Sequence, residues 1–230
     1  ARLPVYLRAL TALADEGTRF EAAYSQIPHT SFSVTTLLTG KYIHALSAIG
    51  EPLERHQTLA DLFRHERYKT AAFYPPSVFF IDRERFEGLE REHFRFEYFR
   101  YEYMKAPGRT DQVIRFLEAE RPERVFAWVH YFDPHEPYDP HPAEAAAAAR
   151  EGVEPASALG RYDGEVRYTD AEVGRLVDWI RAHRQRAFIV FSADHGEEFG
   201  EHGGRYHGTT LYEEQVRVPL LFLGVGLDGV

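Results

Sequence analysis

Apolar residues recur at helical spacing in several stretches of this chain and crowd into short runs in others. Val5, Leu7, Leu10, Leu13 and Ala14 predict a helix over residues 5–14, closed by Asp15-Glu16-Gly17 with a glycine suited to a C-cap. Leu59, Leu62 and Phe63 predict a second over 58–66, and Val113, Phe116 and Leu117 a third over 110–120. The strongest amphipathic pattern, through Val173, Leu176, Val177 and Ile180, covers 170–182. Residues 27–33 are loop-like. The Ser and Thr residues there, ahead of an apolar turn that runs to Gly40, mark a helix N-terminus. Alanine-rich 143–150 predicts a surface helix, the most disposable piece of the chain. Compact apolar runs predict strands at 69–74, 125–131, 187–191 and 218–223, with 20–24 a short extended piece. Residues 75–103 are aromatic and charged with no clean period and are expected to be irregular. Strands alternating with helices imply an α/β fold, a three-layer α/β/α sandwich around a mostly parallel central sheet. No repeat or linker divides it, so 1–230 is expected to be one domain.

Composition narrows the chemistry. With 44% hydrophobic and 27% charged residues the chain can bury a full core. Its 27 Lys and Arg against 36 Asp and Glu give a net charge of −9 and leave no basic stripe, which argues against a nucleic-acid partner. The balance does not exclude a small anionic substrate, because a bound cation inverts the local potential. There are no cysteines, so disulfides, thiolate metal sites and cysteine nucleophiles are excluded. No apolar run approaches the ~20 residues of a membrane helix, and no signal peptide is visible. The chain starts on a helix-like segment and stops just after a strand, as expected of a piece cut at both ends.

The chemistry-bearing residues cluster late in the sequence. The predicted strand 187–191 delivers Asp194 and His195 side by side, Gly196 frees the backbone to turn, and His207 follows with its own glycine. Carboxylate oxygen and imidazole nitrogen suit a divalent cation, and open α/β sheets build their sites at the C-terminal ends of strands. An Asp-His pair also occurs in ordinary turns, and His207 and His202 alone read equally as packing or turn residues. The hydroxyl cluster Thr30-Ser31-Phe32-Ser33 offers a nucleophile at a helix N-terminus, where anions are stabilised. Plain N-capping accounts for it as well. Asp133-Pro134-His135-Glu136-Pro137-Tyr138 after the strand 125–131 is either a stiff turn or a mount for His135, with His130 beside it. The aromatic segment 94–103 stacks on a ligand, packs across the sheet or packs against a neighbour outside this chain.

Three segments, in order, resemble the sulfatase family of the alkaline phosphatase superfamily. Residues 10–40, ending in Leu37-Leu38-Thr39-Gly40, resemble the family's nucleophile region. Residues 128–138, with Pro134-His135 and Pro137-Tyr138 intact, resemble its central histidine segment. Residues 162–180 and 191–221 resemble its metal-ligand region almost without gaps. The resemblance implies an alkaline-phosphatase-like α/β catalytic domain, truncated at both ends. It puts Thr30 at the nucleophile position, Asp194 and His195 at two metal ligands, and His135 and His207 at groups that contact the ester and its leaving oxygen. His130 and His202 are carried as substrate-binding candidates. One divalent ion is implied, Ca²⁺, Mn²⁺, Mg²⁺ or Zn²⁺.

The departures redirect the expected chemistry. Sulfatases oxidise Cys or Ser to formylglycine, and Thr30 cannot give that aldehyde because its β-carbon carries a methyl group. Phe32 and Val34 stand where the motif has proline and arginine, and the family's Gly-Lys-Trp-His is absent near 73–76. The resemblance therefore points to branches with a threonine nucleophile. These are hydrolases or transferases of phosphoric or sulfuric esters, with phospho-transfer favoured over sulfate hydrolysis. The expected partners are a small anionic ester, a glycan or a lipid head group, with a membrane tether allowed outside this chain. The expected location is periplasmic, extracellular or membrane-anchored. The alternative is an inactive relative that binds an anionic glycan or lipid head group. The family takes further carboxylate ligands from an N-terminal strand that would precede Ala1, so the metal site of the chain as given is expected to be incomplete and the isolated piece inactive.

Overall fold

In the computed structural model, residues 7–42, 56–80, 83–149 and 152–227 are described. Strand β2 (Lys69–Tyr74) is the centre of a parallel ladder, with β3 (Tyr98–Tyr101) on one side and β4 (Val125–Val129) on the other. Ala71 of β2 pairs with Tyr98 of β3 and with Ala127 of β4. Successive β2 side chains point to opposite faces, as the period of a strand requires. Ala72 and Tyr74 join one core, Ala71 and Phe73 another. On the first face lie α2 (Thr30–Thr39), α3 (Leu59–His65) and α4 (Arg83–Arg91), through Val34, Leu38, Ala60, Phe86 and Leu89. On the second lie α5 (Ala106–Glu120) and α7 (Ala158–His183), through Val113, Phe116, Leu117 and Leu176. Helices on both faces of a parallel sheet make the α/β architecture read from the sequence.

A second ladder is antiparallel, ordered β1 (Thr18–Arg19), β6 (Leu220–Val225), β5 (Ala187–Ser192), with Ile189 opposite Leu223. Helix α1 (Arg8–Glu16) and the Val173 and Val177 turns of α7 cover one face. Helix α7 thus packs on both ladders. Among the described residues, β4 and β5 are each bonded to a strand on one side only. The other face of the antiparallel ladder carries Phe188, Val190, Phe20 and Phe222, with Phe188 61% exposed. No helix among the described residues is long and apolar enough to cross a membrane.

Several elements differ from expectation. Within 75–103 the described residues form a 3₁₀ turn (Pro76–Phe79), α4, a second 3₁₀ turn (His93–Arg95) and β3. Helix α4 buries only Phe86, Gly88 and Leu89, too few apolar positions to show a period. The aromatic segment serves packing: Phe96 stacks on Trp128 and Phe94 meets it edge-on. Helix α7 begins at Ala158 rather than 170, because its first turns bury Gly160, Asp163, Gly164 and Glu165, which carry no hydrophobic signal. The alanine-rich helix α6 (Pro142–Ala147) is packed rather than lying free on the surface: Ala145 and Ala148 are buried, and Ala145 sits against Gly164 of α7. Positions 5 and 6 of the first expected helix and 150 of the alanine-rich one lie outside the described residues.

Candidate active site

Thr30 is the first residue of α2. The helix is capped by the extended backbone of His29, and no side chain makes a capping bond. Capping therefore does not account for the hydroxyls. The Thr30 hydroxyl instead lies 3.1 Å from His195 Nε2. His195 Nδ1 donates to the Gly196 carbonyl at 2.9 Å. A carbonyl only accepts, so in the neutral ring Nε2 is the acceptor that faces Thr30. Asp194 and His195 follow the C-terminal end of β5, and Ser33 of α2 donates to the Asp194 carbonyl at 2.7 Å. One turn of helix is thereby tied to the strand end. Burial opposes the Asp194 carboxylate, but the His195 and His130 imidazoles and the Thr30 hydroxyl outweigh it and hold it below the usual carboxylate range. Its Oδ2 is buried without a hydrogen-bond partner.

The chain from 196 to 208 leaves the strand end and returns. Gly196 N donates to Gln215 O, and a Cβ at Gly196 would stand 2.1 Å from the Glu214 carbonyl oxygen, so only glycine fits. Buried Glu198 then organises the excursion: Oε1 accepts from the backbone of His202 and Gly204, and Oε2 from Gln215 Nε2. A bridge between Glu198 and Tyr206 closes the loop. Its return sets the His207 ring on that of His195, centroids 3.9 Å apart. Burial opposes the His207 imidazolium, but the hydrogen bond to Glu197 and nearby carboxylates raise it above the ordinary histidine value.

His135 comes from the loop after β4. Asp133 anchors that loop, accepting from Lys105 Nζ at 3.1 Å and from Ala106 N at 2.8 Å at the start of α5. Thr169 of α7 donates to the Asp133 carbonyl. His135 Nδ1 donates to Glu136 O at 2.8 Å, its ring stacks on Phe132, and it meets the His207 ring edge-on at 5.5 Å. His130 N continues the ladder by donating to Phe73 O. Burial depresses the His130 imidazole, against the pull of Asp194.

The structure thus gathers Thr30, Asp194, His195, His207 and His135, with His130 electrostatically coupled to Asp194. His202 is not brought to this group by any contact among the described residues; it binds Glu214 and stacks on Tyr212. Two residues of the gathering escaped the sequence pattern. His29 precedes Thr30, has a buried Nδ1 without a partner, and lies against Gly208. Glu197 binds both His207 and Tyr138. Position alone could have flagged His29, next to the hydroxyl, while Glu197 reads as part of a charged run. The unpartnered Asp194 oxygen beside an imidazole nitrogen is a donor set that fits a divalent cation. His135, Glu136 and His207 form another group whose ligand atoms lie within 4.8 Å of one another, as do Glu198, His202 and Glu214.

Comparison with known proteins places this geometry. The sulfatase family model matches residues 3–227. The soluble domain of lipooligosaccharide phosphoethanolamine transferase A from Neisseria meningitidis superposes with a TM-score of 0.72 at 14% identity, over 96% of this chain and 69% of that one. A lipoteichoic acid synthase from Listeria monocytogenes gives 0.72 at 15% identity, over 97% and 60%. The C-terminal periplasmic domain of a phosphoethanolamine transferase from Campylobacter jejuni gives 0.69 at 15%, over 94% and 70%. The chain therefore spans well under the full length of these solved proteins, and at such identities the likeness carries the fold. Among curated proteins no match was found. A family model that runs nearly end to end, on an α/β core with a hydroxyl, an acid and imidazoles gathered at its strand ends, makes this chain a member of the sulfatase family.

Proposed function

We propose that this chain carries the catalytic groups of a metal-dependent hydrolase or transferase of phosphate or sulfate esters, with Thr30 as covalent nucleophile and phospho-transfer favoured. The observation that carries this is His195 Nε2, 3.1 Å from the Thr30 hydroxyl and 3.6 Å from an Asp194 carboxylate oxygen that has no hydrogen-bond partner. Asp194 and His195 would hold the ion, which when bound supplies a Lewis acid and eases deprotonation of a hydroxyl it touches. Thr30 Oγ1 attacks in line and forms a covalent adduct as the ester bond breaks. His207 gives a proton to the departing oxygen, and His135 holds the charged ester. Water or an acceptor alcohol then attacks phosphorus and frees Thr30. A threonine adduct has no aldehyde hydrate through which to expel sulfate, which favours phosphorus. The lipooligosaccharide and lipoteichoic acid enzymes that share the fold support a glycan or lipid head group as substrate.

The test is an assay of the full protein on phosphodiester, phosphomonoester and sulfate esters, with Mn²⁺, Zn²⁺, Mg²⁺ or Ca²⁺ and after chelation. Thr30→Ala is expected to lose about 10³-fold or more in rate and to lose the covalent adduct seen by intact mass. Equal rates for Thr30→Ala and wild type would exclude the nucleophile role. Binding without turnover in both would leave an anion-binding relative.

A further inference from the structure

Glu197 joins two arms of the site that come from distant parts of the chain. Its side chain is 5% exposed. Oε1 lies 3.2 Å from His207 Nδ1, and Oε2 accepts the Tyr138 hydroxyl at 2.9 Å. Tyr138 is itself buried and stands three residues beyond His135 on the same loop. A carboxylate only accepts, so His207 must present Nδ1–H to it, the minor form of free neutral histidine. That leaves Nε2, which makes no hydrogen bond among the described residues, for other work.

We propose that Glu197 is the positioning residue of this site. It fixes His207 with the proton on Nδ1, stabilises the ring when Nε2 is also protonated, and through Tyr138 holds the His135 loop in place. The inference rests on the ester-cleaving reading of Thr30 and deepens it. In the step it serves, Thr30 gives up its hydroxyl proton to water, the Oγ1–phosphorus bond forms and the phosphorus–leaving-oxygen bond breaks. The leaving oxygen keeps the electron pair of that bond and takes the proton from His207 Nε2. His207 is left neutral with Nδ1–H still directed at Glu197. Carboxylates that orient a working imidazole act in this way, and loss of such an outer partner costs about 10- to 100-fold in activity.

Two measurements test it, on Glu197→Gln, a nearly isosteric change, and on Tyr138→Phe. The first is ¹⁵N NMR of ring-labelled histidine in this chain, which needs no activity. Spectra are taken on the alkaline side of the His207 titration, where the ring is neutral. There wild type and Tyr138→Phe are expected to show His207 with a protonated Nδ1 and a bare Nε2. Glu197→Gln, whose amide both donates and accepts, is expected to show a tautomer mixture. A neutral wild-type ring with its proton on Nε2, or an unchanged signature in Glu197→Gln, overturns the proposal. The second is the rate of the full protein on phenyl and 4-nitrophenyl phosphodiesters. Glu197→Gln is expected to lower kcat about 10- to 100-fold on the phenyl ester and much less on the nitrophenyl ester, with KM little changed. Equal losses on both would mean that Glu197 only props the loop. If Thr30→Ala leaves the rates intact, the ester-cleaving reading fails, and the NMR result still decides whether Glu197 sets the tautomer.

Discussion

Glu165 of α7 is almost fully buried and accepts the backbone N–H of Asp139 at 2.8 Å, while its other oxygen has no partner. Burial, with the Asp133 charge, pushes its carboxyl from 4.5 up to about 7, against the Asp139 N–H and Lys105. Between those values the folded protein holds a proton that the unfolded chain has released. Stability from this group is therefore full below pH 4.5 and is lost as pH rises through about 7, an effect of about 3 kcal/mol. Glu165→Gln is expected to flatten that fall, read as urea midpoints from pH 4.5 to 8 in wild type and variant. Single residues were unevenly legible. Asp194, His195 and Thr30 stood out because their types and motif positions are uncommon. Glu165 and Glu197 did not, because a carboxylate used for burial and orientation looks in sequence like any solvated charge. The same ambiguity made His202 resemble its neighbours, although its partners are Glu214 and Tyr212.

Elements were legible where burial falls on large apolar side chains. The ladders around β2 and β5 and the C-terminal half of α7 show their periods plainly, within a few residues of the observed ends. Contacts between small residues leave no such trace. A Cβ on Gly164 would lie 3.1 Å from the Ala145 Cβ, so α6 and α7 meet closely there through glycine and alanine. Gly164→Leu is expected to destabilise the fold by about 1–3 kcal/mol, seen as a lower Tm, whereas a freely detachable α6 would leave Tm unchanged. The helix start at Thr30 was legible from its hydroxyl residues, but what holds it was not. It is set by the backbone of His29 and the Ser33–Asp194 bond, not by an apolar stripe.

At the scale of the molecule, the two ladders differ in how they meet water. Among the described residues the parallel ladder is sheathed on both faces, while the antiparallel one leaves Phe188 and Val190 61% and 54% exposed on its other face. Apolar patches exposed in this way favour association with another chain. Phe188→Lys is expected to lower self-association of this 230-residue chain in sedimentation runs at rising concentration, with little change in Tm. Composition could not reveal this, since it does not say which apolar residues share a face. The arrangement also has a mechanical side. Val173 and Val177 of α7 grip one ladder, and Leu176 grips the other. Its earlier turns hold the His135 loop at Thr169 and Glu165. The spacing between the His135 imidazole, carried beyond one ladder, and the Asp194–His195 pair, carried beyond the other, is thus gauged by a single rigid rod. A proline placed midway along that rod would let the two halves drift, and chemistry would fail while each ladder remained intact.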